Sequence, residues 1–271
     1  MVSCRPGCPT SRRSRRSEPG RSSGGLELAP VTPRQPPEQQ APPVQKLRIR
    51  YAKTGRARFA SHRDFSRAFE RALRRAGVPM AYSSGFSPHP RISYANASPT
   101  GAATDAEYLE IGLARAVDPG QLRNELNAAL PDGLVLQDVV EAGPGSLADG
   151  LTASVWEIDL GPVPGDVLAG AVAGVLVSET LPVQRMTKTG MRDFDARPAI
   201  LALAVIGEGT LRLLVEHQAP LVRPDDVVQA LTRIEPACQS GQPAMFHRRY
   251  QGSWDGQVLL DPFNGEPLVL T

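Results

Sequence analysis

The residues whose types and spacing could do chemistry lie between positions 53 and 91. His62 and Asp64 stand two residues apart at the start of an arginine-rich stretch, and His89 lies between two prolines. A neutral imidazole at a helix N-terminus, where free N–H groups favour anions, could act as a general base. We therefore expect His62, Asp64, His89 and Arg91 to face one common pocket. A histidine that merely occupies the end of a helix is the simpler alternative for His62.

The segment around His89 is the most unusual loop of the chain. Proline fixes φ and removes a backbone donor, so the two flanking prolines present His89 on a stiff, extended backbone. Rigid presentation of an ionisable side chain suits a functional site. A structural turn with a surface histidine explains the same residues. The residues that form this loop around the histidine are Gly85, Phe86, Ser87, Pro88 and Pro90.

Arginines follow one face of the helix predicted for residues 61–76. With about 100° per residue, these arginines fall opposite the apolar stripe of the helix. The substrate-binding candidates are Arg63, Arg67, Arg71, Arg74, Arg75, Lys53 and Arg91. Residues 45–94 hold twelve Lys and Arg against two acidic residues, which predicts a basic surface that attracts polyanions, RNA first. Alternatively, the acidic remainder of the chain neutralises this surface by packing against it.

The elements that must position these residues alternate between strands and helices. Period-2 and period-3.6 patterns predict the order strand, helix, strand, strand, helix, strand, and this order recurs in the second half. It is the split βαβ pattern, so we predict an α+β fold of two tandem ferredoxin-like halves. The stretch 188–198 interrupts the second half and is predicted to be a loop. The predicted boundaries are 1–44 for a disordered tail, 45–144 and 152–251 for the halves, and 252–271 for an irregular C-terminal segment.

Composition limits the class of protein. The chain has 271 residues and a net charge of +2, with 41% hydrophobic residues, which is enough for a core. No apolar run reaches the roughly 18–20 residues of a membrane span. The stretch 1–44 holds nine of the 26 prolines and lacks the apolar side chains needed to offset the entropy of ordering. Three cysteines cannot build a disulfide framework, so we expect a cytoplasmic protein that does not contact membranes.

No complete catalytic or cofactor motif is present in the sequence. Walker A, G-x-G-x-x-G, H-E-x-x-H and G-x-S-x-G patterns are missing. Cys4 and Cys8 have the spacing of the first two ligands of a radical-SAM iron–sulfur cluster, but Ser11 occupies the third position. His62, Asp64 and His89 match no zinc spacing. We therefore expect no metal and no cofactor.

The sequence between positions 50 and 111 resembles the bacterial radical-SAM-linked protein family, a domain of unknown function, and the resemblance covers about 46–250. The motifs that carry the resemblance are K-x-G before the first helix, S-H-x-D at its start, F-E-R-A-L-R-R-A-G within it, G-F-S-P-H-P and E-Y-L-E-I. D-x-R-P at 195–198 and R-P-D-x-x-x-x-A-L at 223–231 also fit. Arg63 and Ser87 depart from residues that are frequent in the family, without removing an ionisable candidate.

The resemblance implies an accessory role beside a separate, B12-binding radical-SAM protein, not radical chemistry in this chain. The leading hypothesis is a module that holds RNA or a phosphate-bearing substrate on its basic surface for that enzyme. The alternatives are a metal-independent RNA-processing phosphodiesterase that uses His62 and His89, and a purely structural protein partner. Tandem ferredoxin-like RNA-processing proteins share the predicted architecture, although their glycine-rich RNA loop is not evident here.

Overall fold

The computed structural model describes residues 39–187 and 190–269, which together form a mixed α+β fold. Most of the predicted tail, including Cys4 and Cys8, lies outside the described residues. Residues 37–271 form one compact unit. None of the helices in the described ranges is long and apolar enough to cross a membrane.

A large sheet and four helices build the described part of the chain. The helices are α1 (His62–Arg75), α2 (Pro119–Ala129), α3 (Gly165–Val177) and α4 (Pro224–Ile234). The strands are β1 (Gln45–Lys53), β2 (Ile92–Ala95), β3 (Ala103–Leu113), β4 (Leu134–Glu141), β5 (Ala153–Asp159), β6 (Pro182–Thr187), β7 (Gly190–Asp195), β8 (Ile200–Gly207), β9 (Thr210–Glu216), β10 (Met245–Trp254) and β11 (Leu259–Leu260). Short 3-10 helices are Gly55–Phe59, Arg197–Ala199 and Pro236–Cys238.

The large sheet runs through both halves of the chain. Its strand order is β4-β1-β3-β10-β5-β9-β8, with β2 paired to β3 and β11 paired to β10. Within each half, neighbouring strands are antiparallel. The halves meet where β3 and β10 pair in parallel, with Ala103 opposite His247 and Thr104 opposite Arg248. The sequence pattern did not predict this junction, because period-2 alternation specifies a strand but not its partner across the chain.

Helix α1 begins and ends where the sequence predicts. Ser61 is the N-cap, and its hydroxyl oxygen accepts a hydrogen bond from the Asp64 N–H at 3.2 Å. The helix ends before Gly77, whose φ of +64° is a conformation that glycine adopts without a Cβ penalty. Its apolar stripe is buried through Phe65, Phe69 and Leu73. That stripe packs on Leu47, Ile49 and Tyr51 of β1.

The other helices follow the same rules of capping and burial. Asp118 caps α2, accepting a hydrogen bond from the Gln121 N–H at 2.7 Å, and Pro119 occupies the first turn. In α4 the first turn contains Asp225 and Asp226, which complement the helix dipole. Helices α3 and α4 belong to a second apolar cluster, which includes Leu168 of α3.

Three segments differ from the sequence prediction. The predicted loop 188–198 contains strand β7, which pairs with β6 in a separate two-stranded sheet. The segment 78–83, whose sequence V-P-M-A-Y-S predicts a short strand, makes only isolated bridges at Met80 and Tyr82. Strand β2 forms instead within 91–98, which the sequence predicts as a further extended segment. The segment 252–271, predicted to be irregular, contains the end of β10 and all of β11. In each case, pairing depends on a partner strand that local sequence does not reveal.

Candidate functional site

The arginine surface of α1 is exposed along its whole length. We define it as the side chains of Arg63, Arg67, Arg71, Arg74 and Arg75, all of which are exposed. Arg74 lies 3.6 Å from Glu70, and Nη1 of Arg75 donates to the Ala129 carbonyl. Within the described ranges, no ion pair reaches the other three guanidinium groups. Among the described residues, the acidic part of the chain therefore does not neutralise this surface by packing against it.

The basic residues of β1 are placed differently from those of α1. Lys46 and Arg48 lie 3.2 Å and 3.3 Å from Glu110, and Arg50 contacts Asp138. Alternation along a strand puts these three side chains on the sheet face opposite Leu47 and Ile49, which α1 covers. These cations therefore have carboxylate partners and lie apart from the arginine surface.

Lys53 does not contribute to the basic surface that the sequence suggests, because only 6% of it is exposed. Burial lowers the pKa of its ammonium group, and the nearby Glu107 carboxylate opposes this shift only in part. Lys53 pairs with Thr104 of β3 and Leu134 of β4, which are distant in the chain, so sequence alone could not separate it from the exposed arginines.

His62 stands at the first position of α1 with its ring against β2. The ring centroids of His62 and Tyr94 are 4.7 Å apart, in an edge-to-face arrangement. Asp64 is engaged with the N-cap: the Ser61 hydroxyl donates to its carboxylate at 2.7 Å. This hydrogen bond, with the charges of Arg67 and Arg63, lowers the pKa of Asp64. Its observed role is therefore that of a capping residue.

The loop that contains His89 lies at the far end of the same helix. Its backbone pairs with the preceding segment, since the Ser83 N–H donates to the His89 carbonyl at 2.8 Å, and Nε of Arg91 donates to the Tyr82 carbonyl at 3.0 Å. Pro90 and Tyr82 line a small cavity with Glu70 and Arg74 of α1. The tip of the loop, with Phe86, Pro88 and His89, is exposed.

The structure separates His62 from His89. His62 contacts Tyr94, which follows His89 by five residues of extended chain, or about 16 Å. No hydrogen bond or ion pair between described residues joins His62, Asp64 or His89 to one another. The expected common pocket is therefore not formed, because the helix end and the loop lie at opposite ends of β2. The described residues also contain no cluster of three metal-ligating side chains.

A cleft opens where the two halves meet, beside the parallel pair of β3 and β10. Its main cavity has a volume of about 700 Å3, and a neighbouring cavity has about 380 Å3. Pro99, Thr100, Trp156, Arg223 and Pro224 line both cavities. Volumes of roughly 300–1,000 Å3 are typical of small-molecule sites. We call this space the interhalf cleft.

The main cavity of the interhalf cleft combines aromatic walls with charges of both signs. Phe59, Trp156 and Phe246 contribute aromatic surface. The charged lining residues are Arg58, Arg223, Asp159 and Asp225. Two guanidinium groups and two carboxylates leave the lining close to neutral, so the cavity presents both donors and acceptors rather than one sign of charge.

A hydrogen-bonded chain of buried polar groups backs the smaller cavity. The indole N–H of Trp156 donates to the Ser154 hydroxyl at 2.9 Å, and that oxygen lies 3.0 Å from Nε2 of His217. Nδ1 of His217 is 2.7 Å from the Leu151 carbonyl, an acceptor, so Nδ1 carries the proton. Burial lowers the pKa of His217, and the charge of Arg248 adds to this effect. Burial therefore favours the neutral form of this imidazole.

Arg248 links the two halves beneath the cleft. It is 3% exposed and lies 2.8 Å from the Glu107 carboxylate, which is 2% exposed. Its Nη1 donates to the Asn96 carbonyl at 2.8 Å. Its guanidinium also lies 5.4 Å from the centroid of Trp156. This ion pair fixes the first half against β10 and positions the indole that lines the cleft.

Sequence reasoning missed the residues of the interhalf cleft. Trp156 lies in β5, His217 directly follows β9 and Arg248 lies in β10. They are separated by up to 92 residues, and no spacing connects them. One signal could have pointed to these residues: polar side chains occur within strands that are expected to be buried. Ser154 and Arg248 are such side chains, each in a different strand. A buried charge requires a partner, but the sequence does not identify Glu107 as that partner.

The fold and these features define an α+β protein with a large mixed sheet, an arginine-covered helix and a cleft between its halves. The sequence profile of a family described as "Uncharacterized protein conserved in bacteria (DUF2344)" matches residues 46–224, and the chain belongs to this family. The match includes α1 and the loop of His89 but ends before β10.

The comparisons with solved and curated proteins add little to this assignment. The chain is 17% identical to the protein in a solved structure described as "Crystal Structure of an Unknown Protein from Galdieria sulphuraria". The alignment covers 75% of this chain and 98% of that one, with a TM-score of 0.23. No curated protein matches the chain.

Proposed function

We propose that this protein binds single-stranded RNA, or another phosphate-bearing polyanion, on the arginine surface of α1. One observation carries the proposal: five exposed guanidinium groups share one helix face, and within the described residues only Arg74 has a carboxylate partner. An unpaired cation can replace the counterions condensed on a phosphate backbone, and their release drives binding.

Binding without cleavage fits the surroundings of this surface better than a phosphodiesterase does. Catalysis by His62 and His89 requires both imidazoles at one phosphate. His62 packs against Tyr94, however, and about 16 Å of extended chain separates Tyr94 from His89. Asp64 is engaged by Ser61 at the helix cap. These placements support a role in holding the polyanion.

The architecture that supports this role is a pair of ferredoxin-like halves, which we include in the proposal. The strand orders β4-β1-β3-β2 and β10-β5-β9-β8, with antiparallel neighbours, are those of a split βαβ unit. The β6–β7 hairpin is an insertion in the second unit. In each unit, both helices cover one face of the sheet, which leaves the arginine side of α1 free for a ligand.

The proposal includes an accessory role beside a radical-SAM protein. The G-F-S-P-H-P and S-H-x-D motifs, whose resemblance suggested this partner, occupy exposed positions at the two ends of β2. Affinity purification of the full chain from its native cell tests the partner. We expect a radical-SAM protein to be retained after ribonuclease treatment, and its loss in a His89→Ala, Phe86→Ala double variant. Retention of no such protein would refute the accessory role.

The salt dependence of RNA affinity tests the arginine surface. On single strands, log K falls with log salt by about 0.7 per phosphate contact. The double variant Arg67→Glu, Arg71→Glu removes two contacts, so its slope should be shallower by about 1.4. Arg192→Glu, Arg233→Glu is the matched control, since both of these arginines are exposed in the second half. Absence of RNA affinity at low salt, or equal effects of the two double variants, would contradict the proposal.

A further inference from the structure

We infer that the interhalf cleft is a pocket for an unstacked nucleobase of the strand that α1 binds; this inference rests on the proposed function. The cleft and the arginine surface are adjacent in the chain. Phe59, at the mouth of the main cavity, precedes the first residue of α1 by three positions. The Gly101 N–H donates to the Arg58 carbonyl at 2.8 Å, which holds this 3-10 helix against the opposite rim of the cavity. A strand that leaves α1 at its N-terminus therefore meets the cleft.

The walls of the cleft suit a flat aromatic group. Phe59 is 59% exposed, and the Arg58 guanidinium lies 4.7 Å from the centroid of its ring. Trp156 and Phe246 line the interior. Proteins that bind single strands stack bases on aromatic rings and on guanidinium planes.

The polar groups of the cleft suit the edge of a base rather than a phosphate or a lipid. A base edge carries both donors and acceptors. The lining provides guanidinium donors, carboxylate acceptors and the side-chain amide of Gln242, which can donate and accept. An isolated anion would meet the two carboxylates, Asp159 and Asp225, as well as the arginines. An acyl chain would desolvate four charged groups, none of which has an ion-pair partner among the described residues.

An unsatisfied donor in the lining supports the same assignment. Nε of Arg58 is buried and has no hydrogen-bond partner in the described part of the chain. Its Nη1 reaches only the Met245 sulfur, at 3.8 Å, which is a weak acceptor. A buried donor left unpaired costs free energy that an acceptor on a ligand would recover. Carbonyl oxygens and ring nitrogens of bases are such acceptors.

The intrinsic fluorescence of Trp156 provides a direct test. The chain contains two tryptophans, so Trp254→Phe leaves Trp156 as the sole reporter. The probes are an oligoadenylate of about twelve nucleotides and an abasic ribose-phosphate strand of the same length. We expect the oligoadenylate to change Trp156 emission and the abasic strand to leave it unchanged, while both show the same salt slope.

Substitution of the exposed ring separates this inference from the proposed function. Phe59→Ala should weaken oligoadenylate binding by about 5- to 100-fold, the effect of one lost base–aromatic stack, without changing the salt slope. The control Met191→Ala removes an equally exposed apolar side chain, 56% exposed, on β7 and should have no effect. The double variant Arg67→Glu, Arg71→Glu should make the salt slope of oligoadenylate binding shallower. Saturating oligoadenylate should still change the emission of Trp156 in this variant.

The outcomes identify which proposal fails. If oligoadenylate binds with a steep salt slope but leaves Trp156 emission unchanged, and Phe59→Ala behaves like Met191→Ala, the base pocket is wrong and the arginine surface stands. If oligoadenylate does not bind at low salt, the proposed function fails, and the base pocket fails with it. A single-stranded DNA of the same sequence, bound equally well, would show that the 2′-hydroxyl is not read.

Discussion

At the scale of single residues, the buried ion pair of Arg248 and Glu107 is the feature with the largest expected energetic effect. Both side chains are almost fully buried, and each is the main partner of the other. Removing one member leaves an uncompensated charge in a low-dielectric interior. The pair also holds Trp156 in place at the cleft, so stability and ligand binding depend on the same residues.

Breaking this pair should strongly destabilise the protein. Arg248→Met or Glu107→Gln should each lower the free energy of unfolding by about 3–5 kcal/mol, and the double variant by much less than the sum. Urea denaturation of the four proteins in the cycle measures this coupling. Arg74→Met, which breaks an exposed i,i+4 pair with Glu70, is the control and should cost no more than about 0.5 kcal/mol. If the effects of the two buried substitutions were additive, Arg248 and Glu107 would not be a coupled ion pair.

His217 should make stability fall on acidification. Its pKa lies below the ordinary value of 6.5, chiefly through burial and the charge of Arg248, so the unfolded chain binds a proton more readily than the folded chain. The free energy of unfolding should therefore decrease as pH falls from about 6.5 towards the lower folded pKa. The midpoint of urea unfolding, compared at about pH 7.5 and pH 5.5, measures this loss of stability. His217→Gln should reduce the difference between the two midpoints. The exposed His89→Gln should leave the difference unchanged; an equal effect of both variants would exclude this explanation.

At the scale of elements, the cap of α1 determines how firmly the arginine surface is presented. Ser61 accepts the Asp64 N–H and donates to the Asp64 carboxylate. Ser61→Ala should destabilise the protein by about 1 kcal/mol, measured by thermal or urea unfolding. Ser87→Ala, at an exposed position of the His89 loop, is the matched control and should be neutral. A neutral Ser61→Ala would show that the tertiary packing of Phe65 and Phe69 alone holds the first turn.

At the scale of the whole molecule, the two halves should not fold independently. Strand β3 pairs with β10, and Arg248 of β10 neutralises Glu107 of β3. Separation would expose a strand edge and leave Glu107 buried without its partner. We expect residues 39–144 and 152–269, produced alone, to show no cooperative unfolding transition, whereas 39–269 unfolds in one. Calorimetry distinguishes these cases, and a cooperative transition of the first half alone would refute the expectation.

Local rules made α1 predictable from the sequence. Ser61 before Asp64, the 3-1-3-1 apolar spacing and Gly77 at the end all act within one turn of helix, so they specify the helix without its surroundings. The same periodicity placed the five arginines on the solvent side. The order of strands and helices in the first half was predictable for the same reason, since period 2 and period 3.6 are properties of the local backbone. In the second half the prediction missed strand β7, which lies within the predicted loop.

Tertiary structure alone decided which charges are free and where the cleft lies. Lys53 and Arg67 look equivalent in a basic segment, yet one is buried beside Glu107 and the other is exposed. This difference in burial depends on which strands pair with each other in the sheet. The local sequence around a side chain does not specify that pairing. The meeting of Trp156, His217 and Arg248 requires β5 to pair with both β9 and β10. The β3–β10 junction brings Arg248 to Glu107, which lies more than 140 positions earlier in the chain. Bringing residues together over such separations costs loop-closure entropy, and this cost is offset only when the complete core is buried. The packing of the whole molecule therefore determines these contacts.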